Sequence, residues 1–288
     1  MVRQSVLAQT FAQLHHQSFP LVLPNAWDAM SARIFEDLGF QAVATTSAGI
    51  AASLGYPDGE RVPLDEVVVV VDQIVRSVRL PVSVDIEAGY GKTSADVSET
   101  VKKMLAVGAV GVNLEDSESG SLRPVDRQVE MIESIRSIAD AAGIPLFINT
   151  RTDALYKADD VEQRFDDARL RARAYQQAGA DGIFVFGYHN EQIIRRLTSI
   201  ISPPLNVLIG PMTPPVSELH SLGVARVSMG PGAFRAAMGM VQRVGRELLT
   251  MGTCEQMREF GMPFSDIQGL LQVEGRDGDE HEDSRGRI

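Results

Sequence analysis

The sequence predicts an α/β chain folded as a (β/α)8 barrel of the TIM type. Three observations carry that prediction. Short apolar runs recur eight times with amphipathic helical stretches between them, the alternation that parallel strands joined by crossover helices require. No Pro/Gly/Ser-rich linker divides the series. Polar residues able to do chemistry gather at the carboxyl ends of the runs, with no comparable set at the amino ends. A doubly wound sheet is the alternative arrangement of the same units.

The elements follow in order. Residues 1–17 place Val6, Leu7, Phe11 and Leu14 at helical spacing and lack the long apolar core of a signal peptide. The eight expected strands are Leu21–Leu23, Ala42–Thr46, Val82–Ile86, Gly111–Glu115, Leu146–Arg151, Gly182–Phe186, Leu205–Ile209 and Arg226–Met229. Val68, Val71, Ile74, Val75 and Val78 form one face of the helix before the third strand, and Val97, Val101, Met104 and Leu105 one face of the next. Gly108, Gly143 and Gly179 stand where helices end before strands, a left-handed position suited to glycine.

From Val241 to about Val273, one or two further helices carry Leu248, Leu249, Met251, Met257, Phe260, Met262 and Phe264, too apolar for a free tail. They must cover the barrel or another subunit. Glu274 to Asp283 is too charged to pack. The expected organisation is therefore one domain over 1–274 and a disordered acidic tail over 275–288.

A net charge of −11 without any Lys/Arg cluster argues against a nucleic-acid partner. Cys254 is the only cysteine, which excludes an intramolecular disulfide framework and a thiolate metal cluster and makes a cytoplasmic setting the expectation. Nothing in the chain approaches a membrane span. The five histidines are scattered, so a His-based metal site or a Ser/His/Asp triad is not expected.

The chemistry centres on carboxylates. Asp85 and Glu87, two residues apart, project from one face of the third strand, and Glu115 ends the next. Three carboxylates converging there would repel each other without a cation between them, and oxygen-only ligands point to Mg²⁺ or Mn²⁺. Arg151 closes the following strand, placed either to grip a substrate carboxylate bidentately or to serve as counter-ion to Asp153 or Glu115. Arg235 sits beside the Gly230–Gly232 loop, whose backbone N–H groups suit an anion. Thr45, Thr46 and Ser47 read as turn hydroxyls or as ligand donors, and Asp58 as part of a Pro-Asp-Gly turn or as an acid.

From about Phe19 to Met238 the order of these motifs resembles the isocitrate lyase and phosphoenolpyruvate mutase superfamily. The resemblance is carried by Asn25-Ala26-Trp27-Asp28-Ala29 with Ser31-Ala32-Arg33, Leu54 to Glu60, Asp85 to Gly91 and Leu114-Glu115-Asp116, and also by Asn149 to Ala154 and Gly232-Ala233-Phe234-Arg235. It implies a Mg²⁺ site at Asp85, Glu87 and Glu115, partly through bound waters, and carboxylate binding by Thr45, Thr46 and Ser47. It also implies substrate arginines at Arg151 and Arg235, a substrate-binding asparagine at Asn206, and an acidic residue working beside the reacting bond at Asp58. A terminal helix exchanged between neighbours, in dimers or tetramers, completes what the family implies.

Two departures shape the expectation. The Lys-x-Cys-Gly-His loop of isocitrate and methylisocitrate lyases is replaced by Ser117 to Pro124. The lysines and histidine of phosphonate-handling members are missing, with Ser117 and Phe186 at two of those places and Arg123 the one cation left in the loop. The expected activity is Mg²⁺-dependent C–C cleavage of a small 2-oxo or 2-hydroxy (di)carboxylic acid. The alternatives are a phosphonopyruvate or phosphoenolpyruvate mutase or hydrolase, and a 2-oxo acid binding protein with little turnover.

Overall fold

The computed structural model describes residues 2–118, 120–157, 160–202 and 204–272. The acidic tail expected from residue 275 lies outside them. The described chain divides into two compact units, residues up to Met240 and those from Val241 onward.

The first unit runs α1 (Val2–Leu14), β1 (Leu21–Leu23), β2 (Asn25–Ala26), α2 (Ala29–Asp37), β3 (Val43–Thr45), α3 (Ser47–Ser53), α4 (Leu64–Ser77), β4 (Val82–Asp85), α5 (Ser94–Ala106) and β5 (Gly111–Glu115). A hairpin of β6 (Ser117–Glu118) and β7 (Ser121–Leu122) precedes α6 (Val125–Ala141) and β8 (Phe147–Thr152). There follow α7 (Ala154–Lys157), α8 (Val161–Gln177), β9 (Gly182–Tyr188), α9 (Glu191–Ile200), β10 (Leu205–Leu208), α10 (Val216–Ser221), β11 (Arg226–Ser228) and the start of α11 (Gly232–Met251).

The sheet order is β1-β11-β10-β9-β8-β5-β4-β3-β2, parallel at every pairing. Because β1 pairs with β11 and β2 with β3, one strand broken at Pro24 closes the barrel, and the eight expected strands are all present. Proline has no N–H to give to the ladder. Asn25 spans the break instead: its Oδ1 accepts from Met229 N and Gly230 N, and its Nδ2 donates to Thr45 O. Three residues on, Asp28 caps α2 by accepting from Ser31 N at 2.7 Å, while Ser31 Oγ accepts from Asp28 N. Much of the Asn25-to-Arg33 motif is thus barrel closure and helix start.

α1 plugs the amino end of the barrel, with Phe11 fully buried and the His15 ring stacked on Phe147 at 3.8 Å. Gly111 opens β5 below Phe11. A Cβ there would stand 2.8 Å from the Phe11 ring, so the plug needs glycine at that position.

The second unit holds the rest of α11, α12 (Glu255–Phe260) and α13 (Phe264–Leu271). Its turn is built by Glu247, buried, which accepts from Thr253 Oγ1, Glu255 N and Gln256 N. Val241, Leu248, Leu249, Met251, Met257, Phe260, Met262 and Phe264 are exposed. No helix among the described residues is long and apolar enough to cross a membrane.

Candidate active site

The strand ends converge as a barrel dictates, and Asp85 is their hub. Its Oδ2 accepts from Ser47 Oγ at 2.8 Å and from Ser47 N at 3.3 Å; its Oδ1 accepts from Asn113 Nδ2 at 3.2 Å and Glu87 N at 3.3 Å. Thr45 Oγ1 accepts from Asp85 N at 2.9 Å, and Thr46 caps α3 through Gly49 N. β3, β4 and β5 are therefore cross-linked around one carboxylate, by residue types that were legible as a cluster except for Asn113.

Glu87 lies one turn further out. Glu60, Glu87 and Tyr90 are the described non-glycine residues with positive φ, at 56°, 49° and 57°. They bond to one another: Glu60 N donates to Glu87 Oε2 at 2.8 Å, Tyr90 N to Glu60 Oε1 at 2.6 Å and Tyr90 Oη to Glu87 Oε1 at 2.9 Å. Strained backbone of this kind, costing about 1–3 kcal/mol per residue, persists where surrounding bonds over-determine it. Here it ties the Pro57–Glu60 segment, with Asp58, against the end of β4.

Arg151 answers both readings of its position. Nη1 pairs with Glu115 at 2.7 Å, while Nε and Nη2 grip Asp153 at 2.7 and 3.0 Å. Its guanidinium stacks 3.7 Å over the Phe186 ring and still lines the cavity. Asp116, fully buried, accepts from Asp153 N, Arg171 Nη1 and Tyr175 Oη and so locks the ends of β5 and β8 together. Arg171 and Tyr175, four residues apart on the buried face of α8, were not legible as site support.

Two cavities share Asp58. The inner one, about 170 Å³, is lined by Thr45, Thr46, Ser47, Asp58, Asp85 and Arg151 of the expected set, together with Ser83, Asn113, Phe184, Phe186, Arg226 and Ser228. The outer one, about 630 Å³, is lined by Glu87, Glu115, Glu60, Tyr90 and Arg123. Asn206 is buried beside the inner cavity, donating to Ser228 Oγ at 3.1 Å. The structure does not bring Arg235 to either cavity; its side chain is exposed.

Burial first, and like charge after it, raises the carboxyl groups of the site. Burial, then the Asp85 charge, push Glu87 up to about 7. Burial pushes Glu115 up to about 8, with Asp85 adding to it and Arg151 opposing. Asp58 is likewise raised, by burial and then by Asp85. Among the described residues no three His, Cys, Asp or Glu groups close around a single point as direct ligands. The donor chemistry suits a hard divalent cation in one respect: Asp85, Glu87 and Glu115 offer oxygen only.

Residues 11–249 match the family model described as phosphoenolpyruvate phosphomutase. The chain is 32% identical over 246 residues to 2-methylisocitrate lyase of Escherichia coli K12, covering 81% of each, and 30% identical over 260 residues to oxaloacetate decarboxylase of a Bradyrhizobium strain, covering 87% of each. It is also similar to a crystal structure from Burkholderia cenocepacia J2315, with 43% identity, a TM-score of 0.80, and coverage of 83% of this chain and 98% of that one. With its motifs and its barrel in agreement with that match, the chain belongs to the phosphoenolpyruvate phosphomutase family of the isocitrate lyase/PEP mutase superfamily.

Proposed function

We propose that this chain is a Mg²⁺-dependent lyase that cleaves a C–C bond in a small 2-oxo or 2-hydroxy (di)carboxylic acid. The observation that carries the reading is the over-charged carboxylate group of Asp85, Glu87 and Glu115 beside the donors of Thr45, Thr46 and Ser47. When bound there, Mg²⁺ or Mn²⁺ supplies Lewis-acid charge for the oxygen that becomes negative as the bond breaks.

The chain's own residues do the rest. The Ser47 N–H and hydroxyl, now spent on Asp85, are placed to donate to a substrate carboxylate. Arg151 orients that carboxylate, held flat by Phe186 and Asp153. Asp58, raised by burial and by Asp85, keeps its proton more readily than an ordinary carboxyl and is placed to pass one to or from the reacting carbon. Phe184, Phe186 and Leu208 supply the apolar part of the inner cavity's lining. At about 170 Å³ that cavity is below the range of about 300–1,000 Å³ for drug-sized ligands, which suits a small acid.

The phosphoryl-transfer alternative draws less support. Arg123, the cation left in its loop, is buried and engaged with Ala88 O, Gln128 Oε1 and Glu118. The same proposal includes a cytoplasmic homo-oligomer, dimer or tetramer, which the exposed apolar residues from Val241 to Phe264 support. The deciding experiment is a screen of 2-oxo and 2-hydroxy acids, scored for Mg²⁺-dependent binding and for products. Products from oxaloacetate-like or malate-like acids bear the reading out. Tight binding with no product from any acid replaces the lyase with a binding protein.

A further inference from the structure

The cavity has a second cation that the chemistry above leaves unused. Arg226 opens β11, is only 3% exposed, and lines the inner cavity. Its Nε and Nη1 are buried with no hydrogen-bond partner, whereas every guanidinium nitrogen of Arg151 is engaged by Asp153 or Glu115. Its register partner on β10 is Asn206, whose Oδ1 is also buried without a donor, and Ser83 Oγ across the cavity is in the same state.

Position adds direction. Around the closed barrel β11 lies opposite β5, with β4 and β8 each three strands away. The carboxylates and Arg151 thus occupy one side, and Arg226 the other. A buried guanidinium with no hydrogen-bonded partner is destabilising, and here only the charge of Asp85, which makes no hydrogen bond to it, offsets the burial. Such a group is retained where a ligand completes it, and a planar fork of N–H donors matches a carboxylate.

We infer that Arg226 is a specificity-determining residue, forming with the Asn206 side of the barrel a second anion subsite that selects acids with another carboxylate beyond the one held at the Asp85 side. The inference rests on the inner cavity being the substrate site proposed above. Burial holds the Arg226 guanidinium down at about 9, with Asp85 opposing, as expected for a cation lacking its anion.

The test is calorimetry on the full chain with Mg²⁺, using oxalate as probe of the Asp85 side and the pair lactate and malate, which differ by one carboxylate. Malate should bind at least tenfold more tightly than lactate. Arg226→Met should bring malate to the lactate level and leave oxalate within about twofold. Arg226→Lys, which keeps the charge without the fork, should lose several-fold for malate alone. Without ligand, the Arg226→Met protein should melt at the same temperature or higher, since an unpaired charge leaves the interior. Equal losses for all three acids, no preference for malate in the natural chain, or a lower melting temperature or failed folding in Arg226→Met would each overturn the inference by making Arg226 structural. Failure of the natural chain to bind oxalate with Mg²⁺ would instead overturn the proposed function itself, and this inference with it.

Discussion

The two sides of the barrel mouth are built on opposite terms. On the β4, β5 and β8 side, Asp85, Glu87 and Arg151 are each held by two or more hydrogen bonds or ion pairs and Glu115 is paired with Arg151, yet the sum of charges is negative and carboxyl protons are held unusually tightly. On the β10 and β11 side, Arg226 and Asn206 carry polar atoms with no partner at all. On the first side the charged groups are satisfied in geometry and unbalanced in charge, and only hydroxyls, Ser83 Oγ and Thr150 Oγ1, lack partners; on the second the charged group itself lacks them. Hydrogen-bond satisfaction and charge balance are thus separate demands, and a ligand can meet either one.

The largest predicted effect comes from emptying the satisfied side. Asp85→Ala should remove Mg²⁺ binding by calorimetry and reduce turnover by about 10²–10³-fold or more, the scale of losing a principal electrostatic element. Its metal-free melting temperature should hold or rise, because the remaining carboxylates are relieved of a like charge. A large fall would make Asp85 a structural cross-link through Ser47 and Asn113 instead. Next in size, Arg151→Lys should weaken acid binding about tenfold, or 1.4 kcal/mol, because a point charge cannot replace the planar guanidinium stacked on Phe186. Unchanged affinity would leave Arg151 as counter-ion only.

A smaller effect is the pH dependence of the metal-free protein. Glu87 and Glu115 titrate near 7 and 8 when folded, above their ordinary value of 4.5, so the folded state binds more protons than the unfolded one across that window. Stability should therefore fall as pH rises from about 5 to 8. Melting curves over that range check the sign, and the slope should shrink in Asp85→Ala. The smallest expected change is Tyr90→Phe, which removes one hydrogen bond to Glu87 worth about 1 kcal/mol. It should raise the Glu87 titration further and weaken Mg²⁺ binding near neutral pH, read by calorimetry.

What was legible in the sequence divides along the same line. All eight strands were readable, because buried parallel strands are near-continuous apolar runs and their carboxyl ends stop in polar residues. Asp85, Glu115, Arg151 and Thr45 to Ser47 followed from those stops. Arg226 did not, because it opens its strand and only the length of its side chain carries it into the cavity. Asn113 and Ser83 were hidden inside apolar runs, where period-two inward positions cannot be told from the core. Arg235, promising beside a glycine loop, is exposed in the first turn of α11 and lines neither cavity, a placement that residue spacing does not encode. Glu60 and Tyr90 lie within motifs that carry the resemblance, but their left-handed backbone was not legible, since such strain on non-glycine residues is set by the bonds that hold it.

The most direct test of the claim that the β4 and β5 side is built for a divalent cation is the proton count on Mg²⁺ binding. Titrating Mg²⁺ into the protein at pH 7, in two buffers of different ionisation enthalpy, measures protons released per ion bound. Saturable binding with release of about one proton is expected, as Glu87 and Glu115 ionise, with weaker binding at pH 6. No binding, or binding with no proton released at pH 7, would contradict it.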